Sequence, residues 1–319
     1  MDRREFLRLC GLGVLAALGL AGCRLPRPSG EKAAPQTPAP YTPPPMQAAP
    51  ARGPDLAVVE GDNYEELLEK GLEAMGGIAR FVQKGNLVVL KPNFSVPRAP
   101  EEACTTSPRL VAALVKKCLE AGAREVRVID HPFFNGETCL EKTGMRRAVR
   151  EAGGKVYVLD ALNDRYYTRV EIGGQALREV HFSRDVLEAD VFINMPILKH
   201  HVATKLTMGL KNMMGLVWDR GVFHARGLHR PIAELAAFKK PHLIVMDAVR
   251  GITSNGPTGP GPIREFRRLI LGTDPVAVDA YGARLFGLDP AEIEHLRLAA
   301  GMGLGQMDLS KLHTVNVFL

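Results

Sequence analysis

Residues 86–130 read NLVVLKPNFSVPRAPEEACTTSPRLVAALVKKCLEAGAREVRVID, and this stretch decides the fold class. It begins and ends with short apolar runs that are typical of buried strands. Between them lies an amphipathic segment with Ser107 as predicted N-cap, Pro108 at the first helical position and Gly122 near its end. Apolar strands that alternate with helices are typical of a mainly parallel sheet covered on both faces. The stretch therefore predicts an α/β fold.

The same alternation extends outward on both sides. Helices are predicted at 64–77 and 107–123, and strands at 56–60, 86–93, 125–130, 155–160, 190–196, 242–249, 267–272 and 314–319. We therefore expect an α/β fold over residues 55–319, with a mainly parallel sheet flanked by helices. This length suits a single large domain or two intimately packed lobes.

The N-terminus resembles an export signal. Arg3 and Arg4 precede the apolar run GLGVLAALGLAG (11–22), which is shorter than the roughly 20 residues of a bilayer span. The run closes on LAGC, which resembles a lipoprotein signal in which Cys23 is lipidated. The arginine pair resembles a twin-arginine signal, with Asp2 in place of the usual Ser or Thr. We expect residues 1–22 to be a signal peptide and the protein to be exported and membrane-anchored, periplasmic or at the cell surface; an uncleaved short anchor is the alternative.

The segment that follows, residues 23–54, is a predicted tether. Ten of the 23 prolines of the chain lie between residues 24 and 54, with almost no large apolar side chain. Such a composition cannot form a core and favours a partly polyproline-like linker.

Charge and cysteine content exclude some classes of site. The formal net charge of +6 falls to +5 without residues 1–22, which carry three arginines against two acids. This mild charge, without interleaved aromatic and basic residues, predicts no nucleic-acid partner. Beyond the signal, Cys104, Cys118 and Cys139 have no CxxC or Cys/His ligand spacing. A cysteine-ligated zinc or iron–sulfur site is therefore not expected, although one disulfide could form.

Polar and charged residues follow four of the predicted strands. They are Lys91, Asn93, Asp130, His131, Asn194 and Asp247. In parallel sheets, ligands bind beyond the carboxyl ends of the strands. The pattern favours one shared site, although Asn and Asp are also ordinary turn residues.

The stretch from residue 191 to 218 contains no Asp or Glu, yet it includes Lys199, Lys205 and Lys211. Read as a helix from about residue 201, it has an apolar stripe on one side and Lys205, Lys211 and Asn212 on the other. A solvated helix face usually mixes charges of both signs, because i,i+4 pairs stabilise it. The missing acids therefore favour a site for an anionic ligand, and an amphipathic surface helix is the alternative.

Two further segments could approach a ligand with their backbones. Thr105, Thr106 and Ser107 lead into a helix N-terminus, where free N–H groups favour negative charge, although an ordinary N-cap is the alternative. The loop SNGPTGPGP (254–262) lacks the spacing of a P-loop. Its Gly256 and Gly259 allow close approach to a ligand or to another loop, and a structural hairpin is the alternative.

A divalent metal is one further option. Several residues could supply ligands, namely Asp130, His131, His200, His201, Asp247 and Asp279, but their spacing matches no HxxxH, HxH or DxDxG pattern. The segment GTDPVAVDAYGARLFG (272–287) predicts a helix with Asp274 as N-cap. We favour Asp279, in its second turn, as a residue that complements the helix dipole over a functional acid that faces inward.

Four stretches, VLKPNF, INMPILKHHVATKLTMGLKNMMG, MDAVRGITSNGPTGPGP and GTDPVAVDAYG, occur in this order. Together they resemble the family known as domain of unknown function 362, over about residues 56–319. The resemblance implies that nine residues lie in recurring motifs of that family, without assigning roles to them: Lys91, Asn93, Asn194, Lys199, His200, Lys211, Asn212, Asp247 and Asp279. Some members carry a ferredoxin-like segment with cysteine-ligated clusters. This chain has no CxxCxxCxxxC run, so any redox role would need a partner protein.

Two functional hypotheses follow. The first is an extracytoplasmic enzyme for a small anionic ligand, redox-linked or metal-assisted, with His200 or His131 as acid/base and Asp130 or Asp247 as orienter or metal ligand. The ligand-binding candidates are Lys91, Asn93, Thr105, Thr106, Ser107, Asn194, Lys199, Lys205, Lys211, Asn212, Gly256 and Gly259. The second is a lipoprotein module that binds an anion or a partner surface without chemistry. Convergence of His, Asp and Lys side chains in one pocket would favour the enzyme.

Overall fold

The computed structural model describes residues 53–319, so the predicted signal peptide, Cys23 and the tether up to residue 52 lie outside the described residues. The strands are β1 Leu56–Glu60, β2 Leu87–Pro92, β3 Glu125–Asp130, β4 Lys155–Val158, β5 Tyr167–Glu171, β6 Glu179–Ser183, β7 Val191–Met195, β8 Lys199–His201, β9 Lys205–Thr207, β10 Leu243–Ile252, β11 Ile263–Gly272 and β12 Thr314–Phe318. The helices are α1 Tyr64–Ala74, α2 Pro108–Glu120, α3 Gly136–Lys142, α4 Met145–Glu151, α5 Arg184–Glu188, α6 Gly209–Asn212, α7 Arg220–Ala225, α8 His229–Phe238, α9 Pro275–Phe286 and α10 Glu294–Gly301.

Eight strands form one central sheet in the order β12-β1-β11-β10-β7-β2-β3-β4. Five of its neighbouring pairs are parallel, and only β11 runs antiparallel to its two neighbours, β1 and β10. The α/β fold with a mainly parallel sheet is thus confirmed. All eight predicted strands are present in this sheet, and β10 and β11 extend further toward the loop 253–262 than predicted.

Alternate side chains of the strands pack against two separate layers. Val88 and Leu90 of β2 join the core under α1 to α4, whereas Val89 joins the core under α6 to α10. This period of two explains why the strands are apolar along nearly their whole length, because both faces of the sheet are covered.

The strand order reverses next to β2. From β2 the chain runs through α2 to β3 and on to β4, and it later returns to place β7 on the other side of β2. The helices that follow β2 and β7 belong to opposite layers, so a crevice forms between them at the carboxyl ends of these strands. Lys91 of β2 and Asn194 of β7 are paired in register at this point.

The predicted helix from about residue 201 is wrong. Residues 199–207 form the antiparallel hairpin β8–β9, and helical structure follows only in α6 and in the 3-10 turn Met213–Leu216. Within the hairpin, Leu206 is buried while Val202 is 74% exposed. The assumed apolar stripe therefore does not exist, because period-2 pairing and a left-handed Lys205 replace the helical period.

Other local predictions have clear outcomes. Ser107 is the N-cap residue of α2, although its side chain forms no capping bond. The Asp274 carboxylate caps α9 by accepting from Val276 and Ala277, as predicted. The cysteines at 104, 118 and 139 are buried free thiols, so the disulfide that could have formed is not present. Among the described residues, no helix has the length and apolar character required to cross a membrane.

Candidate functional site

Lys91 is buried at the end of β2 with all of its ammonium hydrogens engaged. Its Nζ lies 2.9 Å from Oδ1 of Asp130, 2.8 Å from Oδ1 of Asn212 and 3.0 Å from the carbonyl oxygen of Pro92. Burial lowers the pKa of Lys91, and the contact with Asp130 opposes that shift. Asp130 also accepts hydrogen bonds from the backbone N–H groups of Phe94 and His131. This ion pair is therefore satisfied entirely by the protein itself.

Asn212 connects Lys91 with the asparagines of the neighbouring strands. Its amide nitrogen donates to the Lys91 carbonyl at 3.1 Å and to Oδ1 of Asn194 at 2.8 Å. Its Oδ1 accepts from Lys91 and from the side chain of Asn93. Asn194 in turn donates to the Gly209 carbonyl at 2.9 Å. We refer to Lys91, Asn93, Asp130, Asn194 and Asn212 as the buried network.

Gly215 lets the 3-10 turn pass directly over this network. A Cβ atom at that position would lie 2.7 Å from Nζ of Lys91 and would overlap the Asp130 carboxylate. The Gly215 carbonyl also accepts from the backbone N–H of His131. The glycine is therefore required for the close approach of two chain segments.

Lys199 is buried but forms no ion pair among the described residues. Its Nζ donates to the Cys104 carbonyl and, at 2.9 Å, to the Pro257 carbonyl. Burial lowers its pKa to about 8. Lys199 thus joins β8 to the start of α2 and to the 254–262 loop, which is the arrangement of a structural residue.

Lys211 lies on α6 and is partly buried as a residue, and no described residue forms a hydrogen bond or ion pair with its Nζ. Burial lowers its pKa to about 7, and the charges that add to this shift are all positive, from Arg220, Lys199 and Lys91. A cation placed among cations favours either loss of its proton or the arrival of an anion.

Arg220, the first residue of α7, is the charge that lowers the pKa of Lys211 most. Its guanidinium donates to the carbonyls of His131 and Pro132, at 2.9 and 3.0 Å, and pairs with no carboxylate in the described chain. It also lies 6.0 Å from the ring centroid of Phe133, which is 54% exposed. Two carbonyls orient this cation without neutralising it. We call Lys211 and Arg220 the cationic pair.

His131, beside Arg220, is held as a neutral imidazole. Burial and the charge of Arg220 lower its pKa to about 4. Its Nδ1 lies 3.1 Å from the Val217 carbonyl, which can only accept, so the ring proton is on Nδ1 and the Nε2 lone pair is free. The ring stacks on Trp218 with centroids 5.2 Å apart. His131 can therefore accept a proton.

His201 has the opposite tautomer. Its Nδ1 accepts from the backbone N–H groups of Ala203 and Thr204, so the proton is on Nε2. Burial and the charge of Lys211 lower its pKa to about 2. His200 uses its Nδ1 to accept from the Gly256 N–H at 3.1 Å, so it fastens the loop beside β8. Of the two adjacent histidines, only His201 has its pKa lowered by the charge of Lys211.

Lys205 lies apart from these groups. It is exposed at the hairpin and forms an ion pair with Glu292 at 2.8 Å. The compensating acid comes from a distant part of the chain, so the lack of local acids says nothing about this lysine.

At the start of α2, a carboxylate of the protein itself already compensates the positive end of the helix dipole. The Ser107 N–H donates to Oδ2 of Asp247 at 2.9 Å, and the Tyr64 hydroxyl contacts the same carboxylate. Burial raises the pKa of Asp247 to about 6. Thr106 bonds the Met195 carbonyl, while Oγ1 of Thr105 is buried without a partner among the described residues. Asp247 thus occupies the place that an external anion would take.

Asp279 has a structural role that the sequence did not indicate. It is fully buried, and its two oxygens accept from the backbone N–H groups of Gly209 and Leu210 at 2.7 and 2.9 Å. It therefore caps α6. The prediction that Asp279 complements the dipole of its own helix is wrong. Burial raises its pKa to about 7.

The loop 254–262 approaches other chain segments. A Cβ on Gly256 would overlap the His200 carbonyl, and one on Gly259 would lie 2.5 Å from Sγ of Cys104. Arg98 donates to the carbonyls of Thr258 and Gly259. The sequence predicted that these glycines closely approach either a ligand or another loop, and in the structure they approach other segments of the chain.

A metal centre and a surface groove are two other kinds of site that the chain could form. Within residues 53–319, no three His, Cys, Asp or Glu side chains come together in a way that could hold a metal ion. A groove of about 1160 Å³ lies between α2 and α3–α4, where Arg and Lys alternate with Glu, and it includes none of the predicted site residues.

Arg220 was not among the residues predicted from the sequence, because it lies beyond Asp219, where the acid-free stretch ends. In the structure, Oδ2 of Asp219 accepts from the backbone and ring nitrogens of His181, at 2.7 and 2.9 Å. Arg220 is left without a carboxylate partner in the described chain, and the signal for it was its position two residues after the acid-free stretch.

Comparisons with known proteins agree with the motifs. The model of the family described as "Domain of unknown function (DUF362)" matches residues 88–284. The "Thylakoid-associated protein sll1697" of Synechocystis sp. is 30% identical over 249 residues, which are 73% of this chain and 73% of that protein.

Two solved structures show a similarity of fold. One is the lactate racemase apoprotein from Thermoanaerobacterium thermosaccharolyticum, with a TM-score of 0.44 and 14% identity, covering 77% of this chain and 56% of that one. The other is a Thermotoga maritima protein from structural genomics, with a TM-score of 0.42 and 16% identity, covering 76% and 60%. This chain spans less than two thirds of each. The family model covers more than half of the chain and includes the buried network and the cationic pair, so the protein belongs to the DUF362 family.

Proposed function

We propose that this protein is an exported, membrane-anchored lipoprotein enzyme that binds a small organic anion at the cationic pair and transfers a proton with His131. The observation that carries the proposal is that Nζ of Lys211 has no partner among the described residues, while burial and the positive charges of Arg220, Lys199 and Lys91 all lower its pKa. An anion bound there would neutralise two cations that the protein leaves uncompensated.

The position of the cationic pair supports a ligand site. Lys211 and Arg220 lie beyond the carboxyl ends of β2, β3 and β7, where the strand order of the sheet reverses. Doubly wound sheets bind their ligands at this point, because neighbouring connections diverge to opposite faces. The charged groups of the buried network lie below and hold the surrounding backbone in place.

The histidines favour an enzyme over a binding module. His131 is a neutral imidazole with a free Nε2 lone pair, and an anion bound beside it would raise its lowered pKa toward neutrality, where an imidazole acts as a base. His201 offers an Nε2 proton near Lys211 and can donate to a ligand oxygen. An acceptor, a donor and two cations together can bind an anion and stabilise charge that develops on it. The alternative is a lipoprotein module in which the same cations bind an anion without chemistry.

Anion binding is tested by thermal stabilisation with butyrate and with inorganic phosphate. We expect at least one of these anions to raise the melting temperature of the wild-type domain. Lys211→Met and Arg220→Met should remove the effect, whereas Lys205→Met, which removes an exposed lysine of the adjacent hairpin, should retain it. Equal responses of all variants would mean general salt stabilisation and would overturn the proposed site.

Catalysis is tested by hydrogen exchange at C3 of 2-oxobutyrate in D2O. A proton acceptor beside the bound anion should accelerate this exchange, and His131→Gln should slow it toward the uncatalysed rate. Exchange that is no faster with the wild-type protein than with buffer, despite anion-induced stabilisation, would support the binding module instead.

Membrane attachment is proposed from the sequence of residues 1–54, and the relative from Synechocystis sp. is described as thylakoid-associated. Several acyl chains on Cys23 would anchor the protein firmly, whereas one chain would give only marginal attachment. We expect Cys23→Ser to move the folded protein from the membrane fraction to the soluble fraction. Retention of this variant in membranes would show that the apolar run 11–22 is the anchor.

A further inference from the structure

Two phenylalanines expose their rings next to Arg220. Phe133 is 54% exposed and Phe134 is 40% exposed, and their ring centroids lie 5.6 Å apart in an edge-to-face arrangement. The guanidinium carbon of Arg220 lies 6.0 Å from the ring centroid of Phe133. Single exposed apolar side chains are common on protein surfaces, but here two aromatic rings adjoin a cation that has no carboxylate partner in the described chain. We call Phe133 and Phe134 the aromatic pair.

Hydrogen bonds hold the segment that carries the aromatic pair. The Phe133 N–H donates to the Ser95 carbonyl at 2.9 Å, in the loop that follows β2. The Arg220 guanidinium donates to the carbonyls of His131 and Pro132, the two residues that precede Phe133, at 2.9 and 3.0 Å. The backbone that presents the rings is thus tied to a neighbouring loop and to the cation itself. The rings and the cation therefore form a surface that a ligand does not have to order.

Arg220 retains hydrogen-bond donors for a ligand. A guanidinium has five N–H groups, and within the described chain two of its donor nitrogens bond the carbonyls of His131 and Pro132. A carboxylate can accept from the remaining N–H groups in the fork geometry that suits arginine. Aromatic rings pack with centroids about 4.5–7 Å apart, so a ligand ring on Phe133 would lie only a short carbon chain away from a carboxylate on Arg220.

This inference rests on the proposed anion site at Arg220. We propose that the organic anion is an arylalkyl carboxylate, whose carboxylate binds Arg220 and whose ring packs on the aromatic pair. The ligand then complements the surface in two ways: it supplies the negative charge that Arg220 lacks, and it covers two rings that the protein leaves in water. An anion without a ring would meet only the first of these conditions.

The direction of the strands favours a dissolved ligand over the membrane as the occupant of the aromatic pair. β1 runs antiparallel to β11, and β11 runs antiparallel to β10, so β1 begins at the amino edge of the sheet. The aromatic pair follows β3, at the carboxyl edge. The proposed tether precedes β1 and therefore joins the domain at the edge of the sheet away from the aromatic pair.

The experiment compares phenylacetate with butyrate, which has an ethyl group in place of the phenyl ring. Calorimetric titration of the full-length protein in detergent should show that phenylacetate binds about tenfold more tightly, because burial of the larger apolar group adds to the free energy of binding. Phe133→Ser and Phe134→Ser should each bring the ratio of the two affinities close to one. Phe318→Ser is the matched control, because it removes an exposed phenylalanine from β12 at the far edge of the sheet and should retain the preference for phenylacetate. Circular dichroism establishes that each variant is folded.

The outcomes separate this inference from the proposed function. A preference for phenylacetate that depends on the aromatic pair, with binding of both anions lost in Arg220→Met, supports the two together. Equal affinities for phenylacetate and butyrate that depend on Arg220 overturn the arylalkyl ligand and leave the anion site. A preference that persists in Phe133→Ser and Phe134→Ser overturns the inference, because the ring then binds elsewhere.

Two further results would also decide against it. Absence of binding of both anions overturns the inference and the proposed site together. Binding of the Cys23→Ser protein to phosphatidylglycerol vesicles that is lost on adding Phe133→Ser would assign the aromatic pair to the membrane surface and overturn the arylalkyl ligand.

Discussion

Two neighbouring regions at the carboxyl edge of the sheet differ in how the positive charges of their side chains are compensated. In the buried network, Nζ of Lys91 has three partners within hydrogen-bond distance, including the Asp130 carboxylate at 2.9 Å. In the cationic pair, Lys211 has none among the described residues, and Arg220 has only carbonyl partners. Both regions lie at the same strand ends, and each takes residues from the stretch 193–215, namely Asn194 and Asn212 in the buried network and Lys211 in the cationic pair.

The difference shows that burial of a charge does not by itself identify a functional residue. A buried ion pair with every hydrogen bond formed positions the chain, and removing one partner leaves an uncompensated charge. A partly buried cation without a counter-charge destabilises the folded protein slightly, and an anionic ligand can bind to it. The following substitutions test this distinction, in order of decreasing expected effect.

The largest effect is expected for Lys91→Met. The substitution leaves Asp130 buried without its cation, which typically costs about 3–5 kcal/mol of the free energy of unfolding. Urea denaturation measures the loss, and the double variant Lys91→Met/Asp130→Asn should recover part of it. A loss below about 1 kcal/mol would mean that the buried network is not what holds these strand ends.

Lys199→Met should have the next largest effect. It leaves the carbonyls of Cys104 and Pro257 without their donor, which we expect to lower the free energy of unfolding by about 2–3 kcal/mol. The same denaturation measurement applies. A fully stable variant that had lost anion-induced stabilisation would instead place Lys199 with the cationic pair.

The raised pKa of Asp279 predicts that the stability of the folded protein falls as the pH rises. Its pKa rises from 3.8 to about 7 on folding, so between pH 4 and 7 the folded state retains a proton that the unfolded state has lost. The stabilisation is complete below pH 4 and is lost as the pH rises through 7. Relative to Asp279→Asn, the wild-type protein should lose about 1 kcal/mol of the free energy of unfolding for each pH unit of this interval, since one pKa unit corresponds to about 1.4 kcal/mol.

Denaturation of both proteins at several pH values gives this difference. Burial raises the pKa of Asp247 in the same direction, to about 6, so the interval from pH 6 to 7 isolates Asp279. A difference that does not vary with pH would show that the Asp279 carboxyl titrates normally.

The smallest effect on stability is expected for Lys211→Met. Removing a cation that lies among cations should change the free energy of unfolding by no more than about 0.5 kcal/mol, or raise it. Lys205→Met is the matched control, because an exposed ion pair contributes at most about 1 kcal/mol. A large loss for Lys211→Met would reveal a structural role and would remove the contrast between the two regions.

The sequence predicted the sheet well and the site only in part. Each of the eight strands of the sheet has its apolar run in the sequence, because a strand buried on both faces must be apolar along its length. The hairpin β8–β9 was missed, since residues 199–207 are short, polar and Gly-poor, and nothing local distinguishes their period-2 pairing from a helix.

Acids that lie far away in the sequence determine which lysines form an ion pair. Lys205 meets Glu292, and Lys91 meets Asp130, which is 39 positions away in the numbering of the chain. Asp219 turns to His181 and leaves its neighbour Arg220 without an acid. Local sequence contains none of these pairings, so a count of nearby charges treated Lys199, Lys205 and Lys211 alike although their surroundings differ.

By itself, the sequence determined the α/β class, the eight strand segments, the capping of α9 by Asp274 and the clustering of polar residues at strand ends. These follow from local periodicity and from the geometry of neighbouring residues. Only the tertiary structure decided that Asp247 and Asp279 cap other helices, that Lys199 is structural, and that the charge of Arg220 acts on Lys211. The reason is electrostatic: the effect of a charge depends on which groups lie within a few ångströms of it, and folding brings those groups from distant parts of the chain.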